Sequence, residues 1–333
     1  MNDEVEKLLI ESITEKLEIT PSNGRSQITK LAGDASTRKY YRIIKGDMSY
    51  VCCLDNPTNG EPSDFEKVTK FLTKNSINVP LIHSSFPKKG FLLQEDLGDD
   101  MLVNFLSKDY DEKDVISWYK KAIDIIAKMQ SIDHHSIPEF VKNRKFDHKK
   151  YVYELGISTE YFLEKYLNYK MSDKEKDAYF RETNWLFDVF SNEDSTLIHR
   201  DFHSRNLMVK EENLVVIDYQ DIMVGSKLYD LVSLLEDSYF PLKNEIKFKL
   251  LDYFRAQVLP GLSDELFSRL YNLNSVQRIY KALGSFTFIY NTRGDDRYLK
   301  YVGVGFSRLK DILQKCPELS SFHDIIMKAY HES

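Results

Sequence analysis

The chain has 333 residues, of which 42% are apolar and 29% charged, and its net charge is −6. That is the profile of a soluble globular protein, long enough for one large two-lobed domain or two ordinary ones and able to bury a core without staples. The acidic balance argues against a nucleic-acid partner, which leaves a basic footprint, but not against a nucleotide held by a few local groups.

Three cysteines, Cys52, Cys53 and Cys316, two of them adjacent, make no disulfide framework and point to a reducing compartment. No Cys/His spacing resembles a zinc site. The N-terminus is acidic and amphipathic, with no basic segment leading into an apolar one, and no stretch has the length of a membrane span. The expectation is a cytoplasmic protein with no membrane partner and no obligate protein partner.

Residues 3–18 read as a helix, since Val5, Leu8, Leu9, Ile13 and Leu17 recur at helical spacing. Residues 27–55 read as strands, with Lys45-Gly46-Asp47 as a turn between Arg38–Ile44 and Tyr50–Leu54. Phe65 to Asn75 reads as a helix and Phe91 to Gln94 as an apolar strand. After Gly98 the pattern becomes helical. Val115, Trp118, Tyr119, Ala122, Ile123, Ile126 and Met129 form one stripe over residues 112–132. More helices reach about residue 190. Asn206–Val209 and Leu214–Ile217 then read as a strand pair around the turn Lys210–Asn213, and from Tyr229 the chain is mainly helical. This order predicts an α+β fold with a small sheet-based lobe over residues 1–97 and a larger helical lobe over 98–333, leaving a cleft of the kind that binds ligands.

The chemistry concentrates in His199-Arg200-Asp201-Phe202-His203-Ser204-Arg205-Asn206, followed by Leu214-Val215-Val216-Ile217-Asp218. Asp201 and Asn206 lie on a loop entering a strand, and Asp218 ends the next strand, so strand pairing draws Asn206 and Asp218 toward one end of the ladder. Phosphoryl transfer needs such a set: a carboxylate to orient the attacking hydroxyl and take its proton, and oxygen ligands for Mg²⁺ against the phosphates. Asp201 suits the first role, Asn206 and Asp218 the second. The plainer alternative is that these are turn residues and His199 a hydrogen-bonded core histidine.

These segments resemble the aminoglycoside-phosphotransferase branch of the protein-kinase-like superfamily, and more narrowly the anomeric sugar kinases that phosphorylate N-acetylmuramate and N-acetylglucosamine in bacterial cell-wall recycling. The resemblance is carried in order by Gly33–Arg42, Phe91–Asp99, His199–Met208, Val216–Asp221, Tyr229–Leu235 and Gln277–Gly284. The catalytic loop is specific to the superfamily, and the first and last segments narrow it. The resemblance implies a two-lobed kinase-like fold, ATP and Mg²⁺ as cofactors, and a small amino sugar as partner. It also implies Asp201 as base, Asn206 and Asp218 as metal ligands, backbone contacts to adenine from Glu95, Asp96 and Leu97, and Asp230 as a brace for the catalytic loop.

One departure stands out. Tyr50-Val51-Cys52-Cys53-Leu54-Asp55, the strand that carries a phosphate-binding lysine in protein kinases, has none. Arg38 and Arg42 are the nearest replacements, against a solvated strand face, and Glu66 loses the lysine it would have paired with. Gly33 and Ser36 fall in the segment over the phosphates, where a plain turn also explains them. His203 and Arg205 are within reach of a sugar or a transferred phosphate. Tyr219, Gln220 and Asp221 are candidates for the acceptor pocket, and Arg278 for a substrate contact or an internal salt bridge. Two rivals stay open: a kinase for another small acceptor such as an aminoglycoside, choline or a different sugar, and a non-catalytic nucleotide-binding pseudokinase.

Overall fold

A computed structural model describes residues 27–31, 38–108, 110–192 and 195–332. The helix expected over 3–18 and the candidates Gly33 and Ser36 lie outside the described residues. The chain divides into two compact units, one of residues 1–100 with 208–220 and one of residues 101–207 with 221–333.

The first unit is built on a five-stranded antiparallel sheet. Its strands are β1 (Gln27–Lys30), β2 (Lys39–Lys45), β3 (Met48–Leu54), β4 (Ile82–Phe86) and β5 (Phe91–Glu95), in the order β1-β2-β3-β5-β4. β2 and β3 are rich in aromatic and β-branched residues and are joined through Gly46, which takes the positive φ that a tight hairpin asks of its turn. The register sets Tyr41 opposite Cys52 and Cys52 opposite Leu93, so Tyr41, Ile43, Cys52, Leu54, Phe91 and Leu93 gather as one buried cluster. Helix α1 (Asp64–Lys74) begins at a reciprocal cap: Ser63 Oγ accepts the Glu66 N–H, and the Glu66 carboxylate accepts the Ser63 N–H at 2.9 Å. The described parts of this unit are completed by a two-stranded hairpin, Leu207–Lys210 with Asn213–Val216, which joins it from residue 208.

The second unit is helical. Among its helices are α2 (Glu112–Gln130), α3 (His148–Ile157), α4 (Asp173–Ser191), α5 (Tyr229–Leu235), α6 (Asn244–Val258), α7 (Asp264–Arg293), α8 (Val302–Leu313) and α9 (Ser320–Glu332). Helix α2 buries the stripe from Val115 to Met129 that its periodicity predicts. Helix α7 is the axis of the unit. Its Val276, Ile279, Tyr280 and Leu283 pack in one core with Phe162 and Leu163 of the wide-wound turn Ser158–Tyr166 and with α8 and α9. This approach is close at Gly284, where a Cβ would lie 2.4 Å from Ser158 Oγ and 2.6 Å from Ser158 Cα. Two short strands, Ser195–Ile198 and Met223–Ser226, pair antiparallel. No helix of the described residues is long and apolar enough to cross a membrane.

Gly284→Ala should therefore destabilise the protein by about 1–3 kcal/mol, since backbone as well as side chain stands in the way of the new methyl group. Gly303→Ala on α8, which meets nothing within 4 Å, should instead be neutral or stabilise by up to about 1 kcal/mol. Urea unfolding of both variants checks the contrast.

Candidate active site

The segment after the strand Ser195–Ile198 is held by an acidic bracket. Asp230, in the first turn of α5 and fully buried, accepts the His199 N–H at 2.6 Å and the Arg200 N–H at 3.0 Å. This is the brace that the resemblance implied. Arg200 has φ +80°, in the left-handed region that costs a non-glycine residue energy. Its carbonyl accepts from Ser233 Oγ at 3.4 Å, and its guanidinium donates to the buried Glu154 at 2.8 Å. This left-handed backbone lies immediately before Asp201. Beyond it, Asp237 accepts the Ser204 N–H at 2.9 Å and the Ser204 hydroxyl at 2.5 Å, so the loop is gripped on both sides of Asp201.

Asp201 faces cations. Lys281 Nζ lies 2.9 Å from its Oδ1 and Arg278 Nη2 3.4 Å from the same atom. Arg278 is further fixed by donating to Ser233 Oγ at 2.7 Å. Burial works to raise the Asp201 pKa, but the charges of Lys281, Arg278 and Arg200 outweigh it and hold the carboxyl well below its ordinary range. The side chain keeps 36% of its surface open, enough for an outside hydroxyl to reach it. A cavity of about 90 Å³ adjoins it, lined among others by His203, Tyr239, Arg278, Lys281 and Ser285.

Helix α7 supplies this face by spacing. Gln277 donates to Glu154 at 3.3 Å, Arg278 reaches Ser233 and Asp201, Lys281 reaches Asp201, and Gly284 makes room for Ser158. Positions 277, 281 and 284 recur on one helical face, with 278 beside them. Arg278, weighed between salt bridge and substrate contact, makes the salt bridge, and makes it to Asp201. Lys281 was not singled out in the sequence. The available signal was its spacing of three and four residues from Arg278 and Gln277.

Asn206 is buried and its Nδ2 donates to the Asp201 carbonyl at 2.9 Å, which leaves its amide oxygen available to a cation. His203 is lowered in pKa chiefly by burial, against the pull of Asp237 and Asp201. Its Nδ1 has no hydrogen-bond partner among the described residues. Arg205 lies over the rings of Tyr239 and Tyr298, at 4.7 and 5.6 Å. Asp201, His203, Arg205 and Asn206 thus come together in the second unit. Asp221 belongs to that unit too, exposed and acting electrostatically on Lys150.

The remaining candidates lie in the first unit. Asp218 is exposed, has φ +61°, and accepts from Gln220 Nε2 at 2.8 Å, so Gln220 orients the carboxylate. Tyr219 does not present a surface to an acceptor. It is fully buried, its ring stacked on Phe65 at 5.0 Å and its hydroxyl paired with Thr69 at 2.9 Å. A residue between two site residues on a short turn alternates inward, and here that direction is the core.

Arg38 pairs with Asp55 at 2.7 Å and lies over the Phe65 ring at 5.7 Å. Tyr40 feels the charges of both Arg38 and Asp218, which sets Arg38 in the neighbourhood of Asp218. Arg42, about 13 Å further along the strand direction, instead clasps the connector, residues 94–99 at the end of β5, through Asp96 at 2.7 Å and Asp99 at 2.9 Å. Asp96 also takes Ser49 and the Gly98 N–H. Glu95 pairs through its side chain with Lys210 and with the Leu81 N–H at 3.1 Å. The backbone N–H and C=O of Leu97 have no backbone partner among the described residues. Glu66 is occupied by its capping box, which is the reason for a glutamate there without a lysine to pair with.

Asn206 in the second unit offers an amide oxygen and Asp218 in the first a carboxylate, both hard donors, and among the described residues no group of three or more His, Cys, Asp or Glu side chains gathers as a metal cage. Mg²⁺ bound beside phosphates takes one or two protein oxygens rather than a full protein cage.

The family model described as the phosphotransferase enzyme family matches residues 27–261, and the chain belongs to that family. It is a phosphotransferase with a protein-kinase-like α+β fold. The N-acetylmuramate/N-acetylglucosamine kinase of Pseudomonas putida is 27% identical over 304 residues, covering 90% of this chain and 87% of that protein. Among solved structures, a choline/ethanolamine kinase family protein from Mesorhizobium loti superposes with a TM-score of 0.61 at 13% identity, covering 95% of this chain and 98% of the other. The streptomycin–ATP complex of APH(2″)-IIa gives a TM-score of 0.57 at 16% identity, covering 92% and 95%.

Because Lys281 and Arg278 depress Asp201, Lys281→Met should move the titration of the Asp201 carboxyl upward, by about one pH unit or more for a charge lost at this distance. Carboxyl-carbon NMR across pH 2–7 reads this directly. Lys281→Arg, which keeps the charge, should leave the titration low.

Proposed function

We propose that this phosphotransferase transfers the γ-phosphate of ATP, with Mg²⁺, to the anomeric hydroxyl of an N-acetylated amino sugar, N-acetylmuramate or N-acetylglucosamine. The observation that carries the reading is the ionised Asp201, fixed by Lys281 and Arg278 and open to an incoming hydroxyl. The likeness to the Pseudomonas putida kinase over nine-tenths of the chain supports the acceptor. ATP is the nucleotide named in the APH(2″)-IIa complex that shares the fold.

Asp201 accepts the hydrogen bond of the acceptor hydroxyl and aligns its oxygen for in-line attack, taking the proton as the new O–P bond forms. An anomeric hydroxyl is more acidic than an ordinary alcohol, which suits a carboxylate held at a low pKa. Asn206 and Asp218 would hold Mg²⁺, and Gln220 keeps the Asp218 carboxylate in place for it. The metal, when bound, neutralises charge on the phosphates. The segment Glu95–Leu97 offers backbone groups to adenine, and those of Leu97 have no backbone partner among the described residues. Of the two arginines, Arg38 is the better substitute for the absent strand lysine, since it shares the surroundings of Asp218 while Arg42 is tied to the connector. Arg205 and His203 would meet the sugar. A polycationic aminoglycoside or a quaternary ammonium acceptor fits less well, because two cations, Lys281 and Arg278, already stand at the base. An ATP-dependent step on a recycled cell-wall sugar belongs in the cytoplasm, a compartment that also suits three free, buried cysteines.

Blocking C1 tests the acceptor position. N-acetylglucosamine should be phosphorylated and its methyl glycoside should not, and phosphorus NMR of the product should show coupling to the C1 proton. A methyl glycoside that turns over equally well, giving a 6-phosphate, contradicts the anomeric assignment and leaves the phosphotransferase class intact.

A further inference from the structure

The second unit holds a larger cavity than the one beside Asp201. Its volume is about 610 Å³, within the range of small-molecule sites. It lies among α6, the start of α7 and α8, and shares only Glu236 with the cavity beside Asp201. Its lining contains none of the residues assigned here to the transfer chemistry or to the nucleotide.

The walls are of two kinds. Phe248, Leu251 and Phe267 give an apolar side, and Phe248 is 65% exposed at the surface. The polar side centres on Glu236, whose side chain is only 2% exposed. It accepts from Lys247 at 2.8 Å and from the Tyr271 hydroxyl at 2.7 Å, with Arg308 at 3.6 Å. Lys315 and Asp311 complete the charged lining. Three cations therefore face two carboxylates, one of them exposed. Burial lowers the Lys247 pKa, and Arg308 and Lys315 push the same way against Glu236, as expected where cations are in excess. The complement of such a cavity is a single anionic head on an apolar body.

The cavity is joined to the catalytic loop by two consecutive residues. Arg308 Nη1 donates to the carbonyl of Asp237 at 3.1 Å, and the Asp237 carboxylate holds Ser204, which lies between Asp201 and Asn206. An anion that draws Arg308 and Lys247 away from Glu236 also loosens the Arg308 grip on Asp237, and with it one of the two clamps on the loop.

We propose that this cavity is a second ligand site, for a small amphipathic carboxylate, and that its occupation lowers turnover through Glu236 and Asp237. The binding claim stands on the cavity alone. The effect on turnover rests on the sugar-kinase reading, so the two are measured separately. The probe is 4-phenylbutyrate, with 4-phenylbutanamide as its neutral counterpart. Calorimetric titration of the intact protein should show saturable binding of the carboxylate at about millimolar affinity or tighter, a fair limit for a ligand of this size. The amide should bind at least about tenfold more weakly, the range expected when a charge-assisted hydrogen bond is lost. Ser307→Trp, which fills the rim, should abolish binding while the thermal unfolding midpoint stays near that of the parent, and Lys315→Ala should weaken binding severalfold. No saturation up to about 10 mM, equal binding of the amide, or undiminished binding by the folded Ser307→Trp protein each overturns the site. In transfer assays the carboxylate should reduce kcat without raising KM for the sugar. Saturable binding that leaves kcat unchanged overturns the coupling.

Discussion

The pairing of Asp201 with Lys281 and Arg278 is the interaction around which this part of the second unit is arranged. A carboxylate drawn into a protein interior resists ionisation, and only nearby positive charge keeps it charged and ready to accept a proton. The cations come from α7, so that helix must lie against the loop. It can do so because Gly284 leaves Ser158 room and because Glu154 takes up the neighbouring charge of Arg200. The positive φ of Arg200 is the strained backbone that goes with this placement, and Asp230 and Asp237 hold the loop in it from either side.

The first unit has no lysine on the strand that carries one in protein kinases. Cys52 and Cys53 occupy that strand as buried packing residues, fully withdrawn from solvent. Arg38 enters from the neighbouring strand and is steadied by Asp55 and the face of Phe65. Gly90 makes that anchorage possible. With φ +63°, its carbonyl accepts the Asp55 N–H at 2.8 Å, and any Cβ there would fall 2.2 Å from the Asp55 carbonyl oxygen. Arg42, on the same strand, serves the connector instead.

What was legible in the sequence followed from local pattern. The stripe of α2, the hairpin through Gly46 and the strands flanking the turn before Asp218 all announce themselves by period or by turn chemistry. The loop from His199 to Asn206 stood out because its residue types and spacing match one task, and the fold brings Asp201, His203, Arg205 and Asn206 into one unit. The strands Ile82–Phe86, Ser195–Ile198 and Met223–Ser226 were not legible: the first has the polar run His83-Ser84-Ser85 at its centre and an irregular register between Ile82 and Ser84, and the other two are defined by each other across the intervening loop and hairpin. Lys281 was missed for a related reason: a lysine on a helix is most often solvated, and only the fold brings this one to Asp201 across 80 residues of chain. Tyr219 was misread as a pocket residue because its neighbours in sequence are polar, whereas its ring belongs to the core beneath Phe65.

The central claim is that Asp201 is the proton acceptor for a sugar hydroxyl. Asp201→Asn keeps the side-chain volume and removes the charge that Lys281 and Arg278 hold in place. The most direct measurement is transfer of labelled γ-phosphate from ATP to N-acetylglucosamine and N-acetylmuramate by the parent and by this variant, with ATP affinity measured alongside. The account predicts a fall in kcat of roughly 10²–10⁴-fold with ATP affinity little changed. Turnover by Asp201→Asn at the parental rate would contradict it.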